Sequence, residues 1–445
     1  MHRLKYTLLS RALLLVAAMA PSALPAAGPL AIQGAKIITV SGDEIETGTV
    51  LIRDGMIEAV GADVDVPGEA KVIDGEGMVV MPGYIDAHNS AGMSQANEQN
   101  SVVPFLSVVD SIDPISSYFE ECRRNGITTA AVVPGNSTLI GGKAAIVKTA
   151  GGYVNDMIVQ RDSALKLSMR PTSGSRMSQM ARLRRELDKA KKAIEKEKEA
   201  DEEKSDEGDQ DKKGEDKTDA KKESDSSEDD KEESESKAKT PEDEGLAALK
   251  LALQGDMPVY IYCEVAMDVT SALGICEEYG LEPIFVLGRD CHKASKRLAS
   301  RAKSVILDPT LVYWETDPRT RKDQKIVLPE IYQKAGLSLV FQVSPASSRG
   351  AVGSSYFWYQ AATAVKYGMS VSDAYKSLTL GPAKLLGIDD QVGSIEVGKE
   401  ADLVVLTGSP LDIGSWVQYT IVGGEVVYDR DEDEKLERLL APTAE

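Results

Sequence analysis

Histidine is scarce in this chain of 445 residues, which contains only three. His2 lies in an N-terminal segment that we expect to be removed, so His88 and His292 remain. Zinc sites that hydrolyse substrates use about three protein ligands and a water, and neutral imidazoles suit zinc well. The sequence therefore has too few histidines for a zinc site built mainly from imidazoles.

Cysteine, aromatic residues and positive charge are also in short supply. The four cysteines (Cys122, Cys263, Cys276 and Cys291) are scattered and form no C-x-x-C pair. This spacing argues against both a zinc–thiolate site and a disulfide framework. The formal net charge is −20 and aromatics make up 5% of the chain, which argues against nucleic acid or an anionic membrane surface as a partner.

Long apolar runs are missing, and the apolar run near the N-terminus is short. Nine apolar residues, 12–20, follow the basic residues Arg3, Lys5 and Arg11. A run of this length cannot span a bilayer, so residues 1–27 are predicted to be a signal peptide of a secreted or periplasmic protein. No cysteine precedes Cys122, and we expect no membrane anchor.

An acidic segment divides the chain. Residues 201–240 contain 18 acidic residues and nine lysines, and their only apolar residues are Ala220 and Ala238. Such a composition cannot bury a core, so a disordered acidic insert is predicted over residues 199–241. Leucines at helical spacing flank it on both sides. The insert is therefore expected to interrupt a connection between two helices.

Strand and helix patterns alternate over most of the remaining chain. Repeated β–α units predict parallel strands, and residues 81–388 without the insert have about the size of a (β/α)₈ barrel. Both ends instead show short strands broken by turns. The predicted fold class is therefore α/β, a TIM-like (β/α)₈ barrel over residues 81–388 with a small composite β-sandwich. That sandwich would be built from both chain ends, residues 28–80 and 389–432.

Three stretches carry a family resemblance. They are VVMPGYIDAH (79–88), GITTAAVVPGNSTLIGGKAAIVK (126–148) and LTLGPAKLLGIDDQVGSIEVGKEADLVVLTGSPLD (378–412). Together they resemble the amidohydrolase superfamily, and more specifically its secreted imidazolonepropionase-like branch. The resemblance implies a barrel whose strand ends hold one or two divalent metals that activate water against carbon–nitrogen bonds.

The resemblance also implies where metal ligands would stand, and most of those positions have changed. Asp86 and His88 match a first-strand Asp-x-His-x-His motif and should share one face of the strand, but its second histidine is Ser90. Lys166 occupies a place where some relatives use a carboxylated lysine. The remaining positions lack the expected histidines and aspartate: Tyr260, Tyr262 and Glu264 on the fifth strand, Leu287 on the sixth, and Gln342 and Ser344 on the eighth.

These losses predict a dismantled metal site, with Asp86, His88, Lys166 and Glu264 as weak remnants. The leading hypothesis is a catalytically degenerate amidohydrolase-family protein with no catalytic residues and no cofactor. It would act as a structural or regulatory partner, in a homo-oligomer or in a hetero-oligomer with an active paralogue.

Two other functions stay open. One is an active hydrolase of carbon–nitrogen bonds with an unorthodox site, which uses a divalent metal such as Zn²⁺ or Mn²⁺ or works without metal. The other is a small-molecule binding protein that uses the barrel mouth. Its pocket candidates share polar or aromatic side chains at strand ends: Ser90, Tyr260, Tyr262, Arg289, Gln342 and Ser344.

Overall fold

The computed structural model describes residues 28–171, 174–210, 240–343 and 357–440. The predicted signal peptide and Ser344 therefore lie outside the described residues. The strands are β1 (Leu30–Ile37), β2 (Ile45–Arg53), β3 (Met56–Gly61), β4 (Lys71–Asp74), β5 (Val79–Pro82), β6 (Tyr84–Asn89), β7 (Ile127–Val132), β8 (Ile140–Lys148), β9 (Ile158–Ser168), β10 (Val259–Val265), β11 (Pro283–Asp290), β12 (Ser304–Ile306), β13 (Val312–Thr316), β14 (Asp323–Val327), β15 (Ser338–Val340), β16 (Leu403–Leu406), β17 (Val417–Val422) and β18 (Glu425–Asp429).

The α-helices lie mainly between the strands of the central part of the chain. They are α1 (Ser117–Arg124), α2 (Val154–Met157), α3 (Arg176–Gln210), α4 (Pro241–Gln254), α5 (Ala266–Tyr279), α6 (Ser295–Leu298), α7 (Leu328–Lys334), α8 (Phe357–Lys366), α9 (Val371–Leu378), α10 (Leu380–Leu386) and α11 (Glu434–Leu440). Within the described ranges, no helix is both long enough and apolar enough to cross a membrane.

Eight strands form a barrel-like sheet in the order β15-β12-β11-β10-β9-β8-β7-β6. The predicted α/β barrel is confirmed, but the prediction that all its strands are parallel was wrong. Strand β8 runs antiparallel to both β7 and β9. The reason is the short connection over residues 133–139, which holds no helix, whereas a parallel crossover needs a dozen or more residues.

Alternating residues of the barrel strands fill its interior. Tyr260 and Tyr262 belong to this interior layer, while Cys263 packs in the outer layer between strands and helices. Cys263 therefore lies on the opposite side of β10 from the two tyrosines, and its thiol is buried and free. Buried side chains of this layer, including Ala131, Tyr260 and Ile306, pack together in the interior, as expected for a barrel of eight strands.

Both ends of the chain join in a second sheet, in the order β18-β17-β16-β5-β1-β2-β3 with β4 paired to β1. The link between the two ends is the antiparallel pairing of β16 with β5. This sheet has its own apolar core, which includes Ile32, Val50 and Leu403. The expected pairing of the chain ends is thus observed as one branched sheet, and the two-layered sandwich stays a prediction.

A buried ion pair fastens this second sheet to the barrel. Lys148 at the end of β8 lies 2.8 Å from Asp402, just before β16. The Asp402 side chain is nearly inaccessible and also accepts hydrogen bonds from Thr129 and from the backbone N–H of Gly423. One carboxylate therefore connects two barrel strands with the turn between β17 and β18.

The predicted insert begins and ends in helices. Helix α3 extends to Gln210, α4 begins at Pro241, and the two helices pack against each other. Thr240 caps α4 by accepting a hydrogen bond from the N–H of Asp243, while the Asp243 carboxylate accepts one from the N–H of Thr240. Residues 211–239, the middle of the predicted disordered insert, lie outside the described residues.

Candidate functional site

A β-bulge in β6 decides which of its side chains enter the barrel. Asp86 pairs with Ala130 and Asn89 pairs with Val132, so β6 advances three residues while β7 advances two. An extra residue of this kind shifts the side-chain alternation. The expected shared face of Asp86 and His88 was therefore wrong: His88 faces Lys166 inside the barrel, and Asp86 faces Tyr118 of α1.

Strands β6 and β9 and the segment that follows β15 bring His88, Lys166 and Gln342 into one hydrogen-bonded chain, which we call the relay. Gln342 Nε2 donates to the carbonyl of Leu307 over 2.7 Å, and Gln342 Oε1 lies 2.8 Å from His88 Nδ1. His88 Nε2 lies 3.0 Å from Lys166 Nζ. The three side chains of the relay are between 0% and 3% exposed.

The donor and the acceptor of every hydrogen bond in the relay can be assigned by starting from the carbonyl group of Leu307. A carbonyl oxygen only accepts, so Gln342 must turn its NH₂ group to Leu307 and its oxygen to the imidazole. His88 then carries its proton on Nδ1 and presents an unprotonated Nε2 to Lys166. The lysine donates into this lone pair, and both ring nitrogens are engaged by protein groups.

Burial depresses the basicity of both nitrogen groups. It lowers the pKa of Lys166 from 10.5 to about 7. Burial, and then the charge of Lys166, lowers the pKa of His88 well below its usual value, although the hydrogen bond to Gln342 opposes the change. Because the charged forms are disfavoured in a dry interior, His88 is a neutral imidazole beside an amine that titrates near neutral pH.

Asp86 lies outside the relay in a pocket of hydrogen-bond donors. Its Oδ2 accepts from the hydroxyl of Tyr118 and from Asn89 Nδ2, both at 2.9 Å. Its Oδ1 accepts from the backbone N–H of Val343 at 3.1 Å and that of His88 at 3.4 Å. Burial raises its pKa to about 7 against these hydrogen bonds. With four donors on two oxygens, the carboxylate is saturated.

The other predicted site residues are spread over the barrel. Glu264 is partly exposed and pairs with Arg170 and Arg176 at 3.2 and 3.7 Å. The ring of Tyr262 lies 5.7 Å from Lys166 Nζ and is half-buried, so it connects the relay with the barrel mouth. Tyr260 is fully buried, and its hydroxyl donates to the carbonyl of Ala87 at 2.9 Å.

Two further candidates lie at the margin of the barrel. Arg289 is exposed, and its guanidinium group stacks over the ring of Tyr313 at 5.5 Å. Ser90 is half-buried, and both ring nitrogens of His88 are already bonded to Gln342 and Lys166. The structure therefore does not bring Ser90 and His88 together as a nucleophile and its base.

This donor set does not fit a divalent metal. The nitrogen of His88 that could bind an ion is Nε2, which carries the free lone pair. The amine of Lys166, which becomes a cation near neutral pH, already occupies the space next to it. The strand positions where the resemblance implies further ligands carry Leu287, which is buried and apolar, and the amide of Gln342. Across the described ranges, no three His, Cys, Asp or Glu residues are grouped so that they could hold a metal ion.

The structure adds polar residues that the sequence did not single out. Tyr118 and Asn89 hold Asp86, and Gln360 of α8 donates to the backbone carbonyl of Gln342 at 2.8 Å. Asn89 occupies the fourth position of the Asp-x-His-x-His motif, three residues after Asp86, and that proximity was the available signal. Tyr118 and Gln360 lie on helices, where nothing in the sequence marks them.

Comparisons with known proteins agree with this fold. Residues 340–427 match the Amidohydrolase family. The amidohydrolase tasK of Hapsidospora irregularis is 22% identical over 425 residues, covering 86% of this chain and 40% of the relative. Imidazolonepropionase of Porphyromonas gingivalis is 42% identical over 67 residues, covering 14% of this chain and 16% of the relative. The aligned part of the chain thus spans less than half the length of these curated relatives.

Solved structures show the same architecture. An amidohydrolase from Thermotoga maritima superimposes with a TM-score of 0.73 at 24% identity and covers 90% of this chain and all of its own. An adenosine deaminase from Xanthomonas campestris with bound zinc gives a TM-score of 0.51 at 16% identity, covering 92% and 96%. The family match over residues 340–427 and the shared fold agree with the resemblance that the motifs carry.

Proposed function

We propose that this chain is a catalytically degenerate amidohydrolase that serves as a structural or regulatory partner of another protein, with an active paralogue as the first candidate. The relay of Gln342, His88 and Lys166 is the observation that supports this proposal. It joins the barrel strands at the positions where the resemblance implies metal ligands, and it satisfies their polar atoms with one another.

The chemistry of the relay favours a structural role. A divalent ion at His88 Nε2 would have to displace Lys166, and the displaced amine would lose its hydrogen-bond partner within a dry interior. Asp86 cannot turn toward such an ion without leaving four donors unpaired. Hydrolysis by metal-activated water would therefore need both groups to abandon their buried contacts.

Metal loading and a hydrolase screen test the proposal together. The purified mature chain is incubated with Zn²⁺ or Mn²⁺, dialysed and assayed for bound metal, then offered amides, cyclic amides and aminopurines. We expect far less than one ion per chain and no turnover. His88→Ala and the matched variant His292→Ala should give the same metal content as the unchanged protein, since neither histidine is a ligand.

Two outcomes would contradict the proposal in different ways. One bound ion per chain that is lost in His88→Ala but kept in His292→Ala, with turnover that a chelator abolishes, would establish a metal hydrolase. Turnover that resists the chelator but disappears in His88→Ala or Glu264→Ala, with the fold intact, would favour a metal-free hydrolase. Native mass spectrometry of the chain, alone and co-expressed with a paralogue that keeps the histidine ligands, tests the partner role.

We also propose that the chain is exported and cleaved near Ala26. When it is expressed in a bacterium with an intact secretion system, N-terminal sequencing should find a mature end close to residue 27 in the periplasmic fraction. Replacing Leu13, Leu14 and Leu15 with glutamine removes the apolar run that a signal peptide requires, and this variant should stay uncleaved in the cytoplasm. An unchanged protein that keeps Met1 would refute export by this route.

A further inference from the structure

A cavity separate from the relay lies between α8, the end of α1, the second sheet and α11. Its volume is about 790 Å³, which falls in the range of small-molecule sites. Most of its wall is apolar or aromatic, including Trp358, Tyr359, Ile413, Trp416 and Leu439.

The apolar wall is open to solvent to an unusual degree. Ile413 is 79% exposed, Leu439 81% and Trp416 54%. Single exposed apolar side chains are ordinary, but a contiguous group around a cavity marks a binding surface. Two of the three tryptophans of the chain lie in this one wall.

A buried hydroxyl without a partner belongs to the same cavity. Tyr84 lines it, is 1% exposed, and its OH has no hydrogen-bond partner among the described residues. A neighbour of its ring is Phe357, whose ring centroid lies 6.3 Å away and offers no acceptor. Buried polar groups are usually satisfied, so the hydroxyl is a donor that an acceptor on a bound ligand would pair with.

An uncommitted cation stands at the same wall. The guanidinium group of Arg430 stacks over the Trp416 ring at 4.7 Å and is half-buried. It makes no ion pair or side-chain hydrogen bond within the described part of the chain. The other cations at the cavity are engaged, because Arg124 pairs with Asp433 and Lys435 pairs with Glu120. Stacking leaves the edge of the Arg430 guanidinium available to a carboxylate, which it can bind through two parallel hydrogen bonds.

We propose that this cavity binds a small amphipathic carboxylic acid. Its carboxylate pairs with Arg430, its apolar body lies against Trp358, Trp416 and Leu439, and an acceptor on the body receives the Tyr84 hydroxyl. The site is independent of the proposed function, since Tyr84 and His88 lie four residues, or roughly 13 Å, apart along β6.

Titration of the mature chain with 2-naphthoate tests the proposal, with calorimetry as the readout, and decanoate followed by tryptophan fluorescence serves as a second probe. We expect saturable binding of one molecule, and much weaker binding of the neutral analogues 2-naphthol and decanol. Arg430→Gln should weaken naphthoate binding by about tenfold or more, since it removes a charge-assisted hydrogen bond. The matched variant Arg438→Gln, on α11 but outside the cavity wall, should bind as the unchanged protein does.

Tyr84→Phe provides a second variant, because it removes an oxygen without a partner and should leave the fold unchanged. It should weaken binding of 6-hydroxy-2-naphthoate, whose hydroxyl can accept from Tyr84, more than that of naphthoate. Equal binding of acids and alcohols, or no saturable binding, would overturn the proposal. So would a dimer in sedimentation that Leu439→Asp dissociates, which would assign the surface to a second copy of the chain.

Discussion

Replacing Asp402 with asparagine is expected to lower the free energy of unfolding by about 3 kcal/mol. The substitution removes the charge that faces the buried ammonium group of Lys148 at 2.8 Å, and breaking a buried ion pair on one side costs roughly 3–5 kcal/mol. Glu400 also contacts Lys148 and is partly exposed, which places the expected loss at the lower end. Urea unfolding of the mature chain at neutral pH measures it.

The asparagine also has to face donors that the carboxylate accepts. Thr129 and the N–H of Gly423 approach different oxygens of Asp402, so one of them must meet the new NH₂ group. Asp63→Asn is the matched control, because Asp63 is exposed, and surface substitutions change stability by about 0.5 kcal/mol or less. Equal midpoints for the two variants would show that Asp402 does not hold the second sheet to the barrel.

Periodicity and spacing were enough to predict the barrel and the joining of both chain ends. Successive residues of a strand face opposite sides, and in the structure Cys263 packs in a different layer from Tyr260 and Tyr262. The antiparallel β8 was missed because its residues look like those of any buried strand. The seven-residue connection before it carried the signal, since it is too short for a crossover.

The site was harder to predict, and one extra residue explains much of the difference. The resemblance drew attention to Asp86, His88, Lys166 and Gln342, but the bulge at β6 separates Asp86 from the others. A bulge without glycine has no mark in composition, and its effect depends on the pairing partner. Tyr118 holds Asp86 from a helix more than thirty residues away, and such a contact exists only once the chain has folded.

The cavity beside Arg430 shows the same limit. Its wall is assembled from separate segments of the chain, from Tyr84 in β6 to Leu439 in α11. No single segment indicates a binding site, because one exposed arginine or leucine is common on protein surfaces. The unpartnered hydroxyl and the unpaired guanidinium become informative only when they are found around the same space.

Lys166→Met is expected to make the protein more stable at pH 7 by about 2 kcal/mol. Burial lowers the pKa of this lysine from 10.5 to about 7. At neutral pH this shift lowers the free energy of unfolding, by about 1.4 kcal/mol for each pKa unit between the pH and the unfolded value. Methionine has a similar shape and no charge. Part of the gain is offset because His88 Nε2 loses its donor, which costs about 1–3 kcal/mol.

The pH dependence of this difference identifies the cause. A lysine whose pKa is lowered on folding contributes stability above its unfolded pKa, and the contribution is lost as pH falls from 10.5 toward 7. The advantage of Lys166→Met over the unchanged protein should therefore shrink between pH 7 and pH 10 by about 3.5 kcal/mol and change sign. Urea unfolding across this range measures it, with Lys71→Met at an exposed position as the control that should stay flat. A stability difference between the two proteins that does not change with pH would mean that Lys166 keeps an ordinary pKa inside the barrel. The relay would then not be closed to water, and the proposal of a catalytically inactive site would lose its main support.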